Sequence, residues 1–434
     1  MMARPRLILV ALAALLVVGV AATGLERFPP PEFETDYVRP TTTAPNPPQG
    51  VWEYIDAGVL AVTLVLATVL VLRTRNRKLI FTLMLFCLAY FGFFRDGCVC
   101  PIGAIQNVTL TAFDPGYAIP LAVLIFFALP LVFTLFFGRV FCGAVCPLGA
   151  IQDAVLIHPV RVPRWLESGL RLIAYLYLGA GVLFAAMGAM FIICRYDPFV
   201  GFFRLSGNWE ILVFGGCLLL IGMFVGRPYC RFLCPNGVIL RQLSRLSRWR
   251  VTITPTDCIQ CRLCEDACPF GAIRKPTEPW PDKEYKVARR RLAFLLVLLP
   301  VLIGAGGWGG YELRQWLALV HPEVRLAQRI YLEENALVEG TTDASDAFRA
   351  LGRSSDELYA AATQLRDRFG LGGTLLGAFV GCVIGGKLLT LSVKRRRADY
   401  EPDPASCLAC GRCYSYCPKE HERLKRGREG LIRH

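Results

Sequence analysis

The chain carries Cys258-Ile-Gln-Cys261-Arg-Leu-Cys264-Glu-Asp-Ala-Cys268-Pro269, and the same spacing returns at Cys407, Cys410, Cys413, Cys417 and Pro418. No other feature constrains the fold as strongly, because the members of the two runs must meet. In a C-x2-C-x2-C-x3-C-P run the first three thiolates fit around one [4Fe–4S] cube, and the fourth ligates the other cube. Two [4Fe–4S] clusters are therefore expected: one on Cys258, Cys261, Cys264 and Cys417, the other on Cys407, Cys410, Cys413 and Cys268. Structural zinc also takes four Cys at C-x2-C spacing. Two complete runs, each closed by Cys-Pro, favour the clusters, and hence a chain that handles electrons.

About 140 residues separate the runs, and much of that stretch is apolar. The whole chain is 54% hydrophobic and 19% charged, with mean hydropathy +0.44. A soluble protein has about a quarter of its residues charged. The apolar excess lies in blocks near the length that crosses a bilayer core of about 30 Å. Eight spans are read, at about 7–22, 54–72, 79–94, 119–137, 170–193, 210–226, 292–310 and 371–392. The first, with a basic flank over Met1–Arg6 and small residues near Ala21-Ala22, also suits a signal peptide; a retained anchor is the reading taken.

Lys and Arg set the orientation. Arg73, Arg75, Arg77 and Lys78 follow the second span, and Arg241, Arg245, Arg248 and Arg250 follow the sixth. Arg289, Arg290 and Arg291 precede the seventh, and Lys394, Arg395, Arg396 and Arg397 follow the eighth. All four clusters fall on one side, which is then cytoplasmic, in an inner membrane of bacterial type. The segment 311–370 on the other side holds ten acids against seven Arg. The net charge of +14 is thus mostly topology, and nucleic acid is not an expected partner.

The expected organisation is an anchor and Pro-rich periplasmic linker over 1–52, and a membrane core over 53–250. The first ferredoxin half follows over 251–291, then a transmembrane hairpin over 292–392 with a helical outer segment 311–370. The second half and a basic tail occupy 393–434. The fold class is mainly α, a polytopic membrane protein with a split cytoplasmic two-cluster ferredoxin domain of small α+β type. An even number of crossings between the halves returns both to one side. Gly373, Gly377, Gly381 and Gly385 recur every four residues in the last span, a face that lets helix backbones approach closely.

Three segments echo one another: Cys98-Val-Cys100-Pro101-Ile-Gly-Ala-Ile-Gln106, Cys142-Gly-Ala-Val-Cys146-Pro147-Leu-Gly-Ala-Ile-Gln152 and Cys230-Arg-Phe-Leu-Cys234-Pro235-Asn-Gly-Val-Ile239. The second and third each set two Cys one helical turn apart. Cys142, Cys146, Cys230 and Cys234 together supply four thiolates, enough for a third iron–sulfur cluster at the membrane edge. The alternative is that Cys-Pro-x-Gly only breaks and caps each helix, which leaves the four thiols unexplained. Cys98, Cys100 and Cys194 fall on the outer face, where they could hold a metal centre, form a redox disulfide or stay free. Cys217 and Cys382 lie within spans and read as small buried apolar residues.

Of the four His, at 158, 321, 421 and 434, none lies inside a span, so haem ligands within the bilayer are missing. No Gly-x-Gly-x-x-Gly follows a strand, so no flavin is expected on this chain. Glu53, Asp56 and Lys387 sit near span ends and can snorkel. A pump would need acids at mid-membrane depth.

These motifs resemble the membrane polyferredoxin family that includes the NapH quinol-oxidising subunit and the C-terminal half of the NosR protein of nitrous-oxide respiration. The resemblance rests on Cys142–Pro147, Cys230–Pro235 and the two ferredoxin runs, and covers roughly 55–275 and 395–420. It implies an electron-transfer subunit of an oxidoreductase complex rather than a stand-alone enzyme. The implied donor is a cytoplasmic electron carrier or quinone, and the acceptor a periplasmic flavoprotein, cytochrome or reductase subunit. A role in maturation or regulation of a metalloenzyme is the alternative. Three departures stand out: the periplasmic flavin-binding domain of the NosR type is missing, the ferredoxin is split, and Cys98, Cys100 and Cys194 lie outside the matched motif.

Overall fold

The computed structural model describes residues 51–97, 99–253, 258–277, 282–393 and 397–432, which are mainly helical with one small sheet. Helix α1 (Val51–Val69) runs on through a wide π-type turn to Thr74, and α2 (Arg77–Cys87) does the same to Phe94. The short α3 (Pro101–Phe113), the apolar α4 (Leu121–Phe137) and the short α5 (Pro147–Ala154) follow. Next come the long α6 (Arg164–Ala186), two single turns, α7 (Ile192–Arg195) and α8 (Val200–Arg204), and α9 (Trp209–Gly222). Helices α10 (Pro228–Phe232) and α11 (Pro235–Leu243) lead to the first cysteine run, with α12 (Leu263–Asp266) and β1 (Ile273–Arg274). The hairpin is α13 (Asp282–Glu312), three short helices, α14 (Arg314–Ala318), α15 (Pro322–Glu334) and α16 (Asp343–Ala350), and α17 (Ser355–Ser392). Strand β2 (Glu401–Pro402) and α18 (Pro418–Ile432) flank the second run.

Five stretches are long and apolar enough to cross a bilayer: Val51–Thr74, Arg77–Phe94, Trp165–Ala186, Val287–Glu312 and Ser355–Ser392. The spans expected at 119–137 and 210–226 appear as shorter helices of 17 and 14 residues, below the roughly 20 that a crossing requires. The first ends where expected, at Phe137 before Gly138, but starts only after Pro120; the second gives way to turns after Gly222, before Pro228. The span at 7–22 and most of the linker lie outside the described residues.

Helices α13 and α17 pack along their glycines. A Cβ built on Gly377 or Gly381 would fall well inside 3.0 Å of a backbone oxygen of α13, and one on Gly306 or Gly310 would meet α17 likewise. The four-residue glycine spacing is therefore a packing face, at which only a hydrogen fits between the two backbones. The segment between α13 and α17 is helical, and it buries Val324, Ala327 and Ile330 of α15 against α17, with Phe348 of α16 in the same core. Trp316, on its apolar spacing, is instead 73% exposed.

Two expectations are corrected. Asp56 does not snorkel: it is buried, and it pairs with Arg95 at 2.6 Å and accepts from the Tyr90 hydroxyl at 2.9 Å. A carboxylate one turn into an apolar helix is tolerated here because both oxygens are satisfied. Cys217 and Cys382 are exposed on their helices, facing outward from the bundle.

The core gathers α1, α2, α4, the 140–151 segment, and Ala409 and Tyr414 of the second run. The ferredoxin loops are thus built into the helical bundle.

Candidate metal centres

The two halves of the split unit meet in an antiparallel pair, Ile273 opposite Pro402 and Arg274 opposite Glu401. Beside the ladder, Asp403 N–H donates to Ala272 O at 2.8 Å and Thr277 N–H to Arg397 O at 3.0 Å. Two small cavities of similar size lie in this unit. Cys258, Cys261, Cys264 and Cys417 line the first; Cys268, Cys407, Cys410 and Cys413 line the second. Each cavity thus takes three cysteines from one run and the fourth from the other.

Backbone geometry repeats as well. Gln260 and Arg262 in the first run adopt left-handed φ values of 53° and 65°, and Ala409 and Gly411 at the matching positions adopt 54° and 74°. Three of these are non-glycine residues in a region that costs energy. Strain repeated at equivalent positions is what a backbone wrapped around a bound group requires. Burial pushes the Cys407 thiol up to about 12 and the Cys264 thiol to about 11, so loading these sites must release protons.

The second constellation sits at helix starts. Cys146 and Cys234 are the N-cap residues of α5 and α11, each followed by Pro at the first helical position. Proline is pre-set for that position and loses no hydrogen bond there. The arrangement aims both thiols at helix N-termini, where negative charge is favoured. Cys142 lies in a π-type turn, Phe141–Val145, and Cys230 lies in α10. Donors converge on these sulfurs: Gly237 N–H on Cys234 at 3.3 Å, Gln152 Nε2 on Cys230 at 3.3 Å and Arg139 on Cys142 at 3.6 Å. The thiols are neighbours. Burial raises Cys146 well above its ordinary value, and Cys230 and Cys142 push it further; burial with Cys230, Cys146 and Cys142 does the same to Cys234.

This constellation abuts the second cavity. A Cβ on Gly143 would fall well inside 3.0 Å of Leu408 O and at 3.0 Å from Ala409 O, so only glycine admits the Cys407–Cys410 loop. Cys142 packs with Phe270, Leu408 and Cys410 in one apolar cluster.

A charged hub joins the same two loops. Asp153, at the end of α5, is buried and takes Arg77 at 2.8 Å, Arg412 at 3.2 Å and Arg227 at 3.6 Å. Arg77 also donates to Cys410 O at 2.8 Å, and Arg227 donates to the carbonyls of Cys142 and Gly143. Burial alone would raise the Asp153 carboxyl; the three guanidiniums outweigh it and hold the group well below the usual carboxylate range. None of this is visible in the cysteine spacing.

Gln152 and Gln106, six residues after Cys146 and Cys100 in the repeat, play matching parts. Gln152 Oε1 accepts from Tyr229 N–H at 3.0 Å, and Gln106 Oε1 accepts from Cys194 N–H at 3.2 Å. Each glutamine therefore anchors a cysteine-bearing segment beside its own helix. The Gln152 amide nitrogen is spent on Leu148 O and the Cys230 sulfur; that of Gln106, equally buried, has no partner. The Cys194 sulfur lies 2.9 Å from where a Gly103 Cβ would stand, and Cys194 counts among the charges that raise Cys100. Cys98 lies outside the described residues.

The donor sets fit iron–sulfur cubes better than single ions. Tetrahedral zinc would draw its four thiolates to about 3.8 Å of one another. Among the described residues no group of three or more His, Cys, Asp or Glu converges tightly enough to hold one metal ion. The cysteines stand around cavities instead, as a larger cofactor demands.

A 4Fe-4S binding domain matches residues 119–164 and 208–254, a second such domain 251–274 and a third 404–420. The chain is similar to "Putative electron transport protein YccM" of Escherichia coli (strain K12), 30% identical over 118 residues, which are 25% of this chain and 33% of YccM. It is also similar to Protein NirI of Paracoccus denitrificans (strain Pd 1222), 33% identical over 122 residues, 27% of this chain and 18% of NirI. The chain thus matches a third or less of the length of either relative. No solved structure matches.

Proposed function

Because the chain belongs to the polyferredoxin membrane family, we propose that it is an electron conduit of the cytoplasmic membrane. Cys258, Cys261, Cys264 and Cys417 would hold one [4Fe–4S] cluster, and Cys407, Cys410, Cys413 and Cys268 the other. Cys142, Cys146, Cys230 and Cys234 would hold a third. Such clusters supply one-electron transfer at potentials set by charge, burial and hydrogen bonds to sulfur. The chain's own groups do the rest: Gly237 N–H, Gln152 and Arg139 orient the third set of sulfurs, and Arg77 and Arg227 fix the two loops at one distance.

The observation that carries this reading is the seat of the Cys407–Cys410 loop on Gly143. It brings the Cys407–Cys410 loop against the turn that carries Cys142. The donor would be a cytoplasmic carrier or quinone and the acceptor a periplasmic flavoprotein, cytochrome or reductase subunit of a larger complex, with Cys98, Cys100 and Cys194 as the residues that would hold an outer centre. The electron-transport label of YccM supports the class of function.

The test is liposomes that hold the purified protein and enclose ferricyanide, with dithionite added outside. The conduit predicts ferricyanide reduction well above protein-free liposomes, lost on Cys146→Ser. A rate equal to that of empty liposomes sinks the proposal. A maturation role is favoured by one observation, the Cys194 sulfur set against Gly103 in the first turn of the helix that Cys100 caps. In that reading the two thiols reduce a partner's metal or disulfide. Cys194→Ser would then abolish assembly of the linked metalloenzyme while leaving ferricyanide reduction intact.

A further inference from the structure

A cavity of about 730 Å³ opens where the end of α1, the end of α4 and the strap 247–252 meet. That is within the range of ligand pockets, about 300–1,000 Å³. Its polar wall is made of four arginines, Arg73, Arg75, Arg248 and Arg250, with the hydroxyls of Thr68, Ser247 and Thr252, and no acid lines it. Arg75 is spent on Glu420 at 3.1 Å and lies over the Tyr414 ring. Arg73, Arg248 and Arg250 have no carboxylate partner among the described residues, and all three are exposed. The contrast is with Arg77, Arg227 and Arg412 nearby, each of which has a carboxylate partner in Asp153. Three unpaired guanidiniums around one cavity define an anion site, and the planar fork of Arg suits phosphate oxygens.

The rest of the wall is apolar. Val69 and Leu72 come from the membrane helix, and Phe137 is the last residue of apolar α4. Trp249 stacks on Phe137 with ring centres 5.6 Å apart, and its N–H donates to Phe136 O at 2.8 Å. This pins the strap to the helix end. A free phosphate would use the arginines and ignore that wall. An amphiphile uses both, with its acyl chains along the exposed faces of Val69 and Phe136.

We propose that this cavity binds the phosphate headgroup of an anionic phospholipid, and that the lipid ties the iron–sulfur unit to the membrane. The strap that it touches continues into both cluster cavities: Val251 lines the one holding Cys407, and Ile253 the one holding Cys258. A smaller crevice lined by Phe137, Arg139, Ser247, Arg250 and Cys407 shares its wall with the lipid cavity. The headgroup is therefore next to the Cys407 loop.

The experiment uses the full-length, iron-loaded protein in nanodiscs of phosphatidylcholine mixed with phosphatidylglycerol. The protein is re-extracted in mild detergent and weighed intact by native mass spectrometry. We expect phosphatidylglycerol retained over phosphatidylcholine by at least about tenfold, and R73Q/R248Q/R250Q to reduce retention to the mixing ratio at unchanged iron content. R289Q/R290Q/R291Q removes the same charge from exposed arginines elsewhere and should leave retention intact. Equal retention by the first triple variant overturns the proposal, as does equal loss in the second, which would mean bulk charge attraction. Displacement of the lipid by millimolar inorganic phosphate overturns it too, in favour of a soluble anion. If the triple variant does not fold, the wild-type lipid competition decides: no preference for phosphatidylglycerol is a refutation.

Discussion

Asp153→Asn tests how the two centres are held together. The carboxylate is fully buried, and it balances three guanidiniums whose side chains are 0% (Arg227), 16% (Arg77) and 23% (Arg412) exposed. The amide keeps the shape and one acceptor but leaves the arginines without their counter-charge. Breaking a buried pair on one side costs about 3–5 kcal/mol. The cost falls on the junction, because Arg77 grips Cys410 O and Arg227 grips Cys142 O. If local opening of that junction limits cluster loss, iron release to a chelator should accelerate on the order of 10²–10³-fold. Buried charges are screened little by salt, so raising salt should not restore the wild-type rate. Asp266→Asn is the control: Asp266 is 64% exposed and pairs with Arg161, itself 57% exposed. An exposed pair is worth about 1 kcal/mol at most, so release should change by about fivefold or less. Iron release in Asp153→Asn within about twofold of wild type would refute the argument that this hub holds the loops.

Gly143→Ala should push the Cys407–Cys410 loop away from the Cys142 turn, at an overpacking cost of about 1–3 kcal/mol. It should slow ferricyanide reduction in the liposome assay with iron content intact, whereas Gly216→Ala, whose Cβ would meet nothing within 4 Å, should leave the rate unchanged. Gly377→Leu should part α13 from α17 and lower the iron held by the split unit, measured as iron per chain, since the two runs are tethered through that hairpin. His321 caps α15 by accepting from Glu323 N–H at 3.3 Å, which needs neutral imidazole; burial holds its pKa below the usual value. A depressed folded pKa gives stability that is full above the unfolded value of about 6.5 and lost as pH falls through the folded value. Protection factors over 322–334, corrected for the intrinsic pH dependence of amide exchange, should therefore fall on acidification, and His321→Asn, which keeps a capping oxygen, should remove that fall.

The cysteine sets were legible because metal spacing is local: three positions within seven residues state their purpose, and the Cys-Pro that closes each run points to the partner run. The glycine face of α17 was legible for the same reason, as a four-residue period on one helix. Asp153 was not. Its three arginines come from positions 77, 227 and 412, and nothing at any of them marks a shared target. Gln106 and Gln152 stood in plain view in the repeat, and a repeated polar residue inside an apolar motif was the signal to follow. Span lengths misled because hydropathy does not register where a backbone turns, as after Gly222. The basic cluster after the second span reads as topology alone, yet Arg75 and Arg77 are anchors for the second ferredoxin loop and its helix.

The most direct test of the account is iron and acid-labile sulfide per chain on anaerobically purified protein, with EPR of the reduced sample. Three four-iron clusters predict about twelve irons, with one signal lost in Cys142→Ser or Cys230→Ser while the other two persist. About eight irons, unchanged by either substitution, would contradict a third cluster and leave Cys142, Cys146, Cys230 and Cys234 as thiols alone.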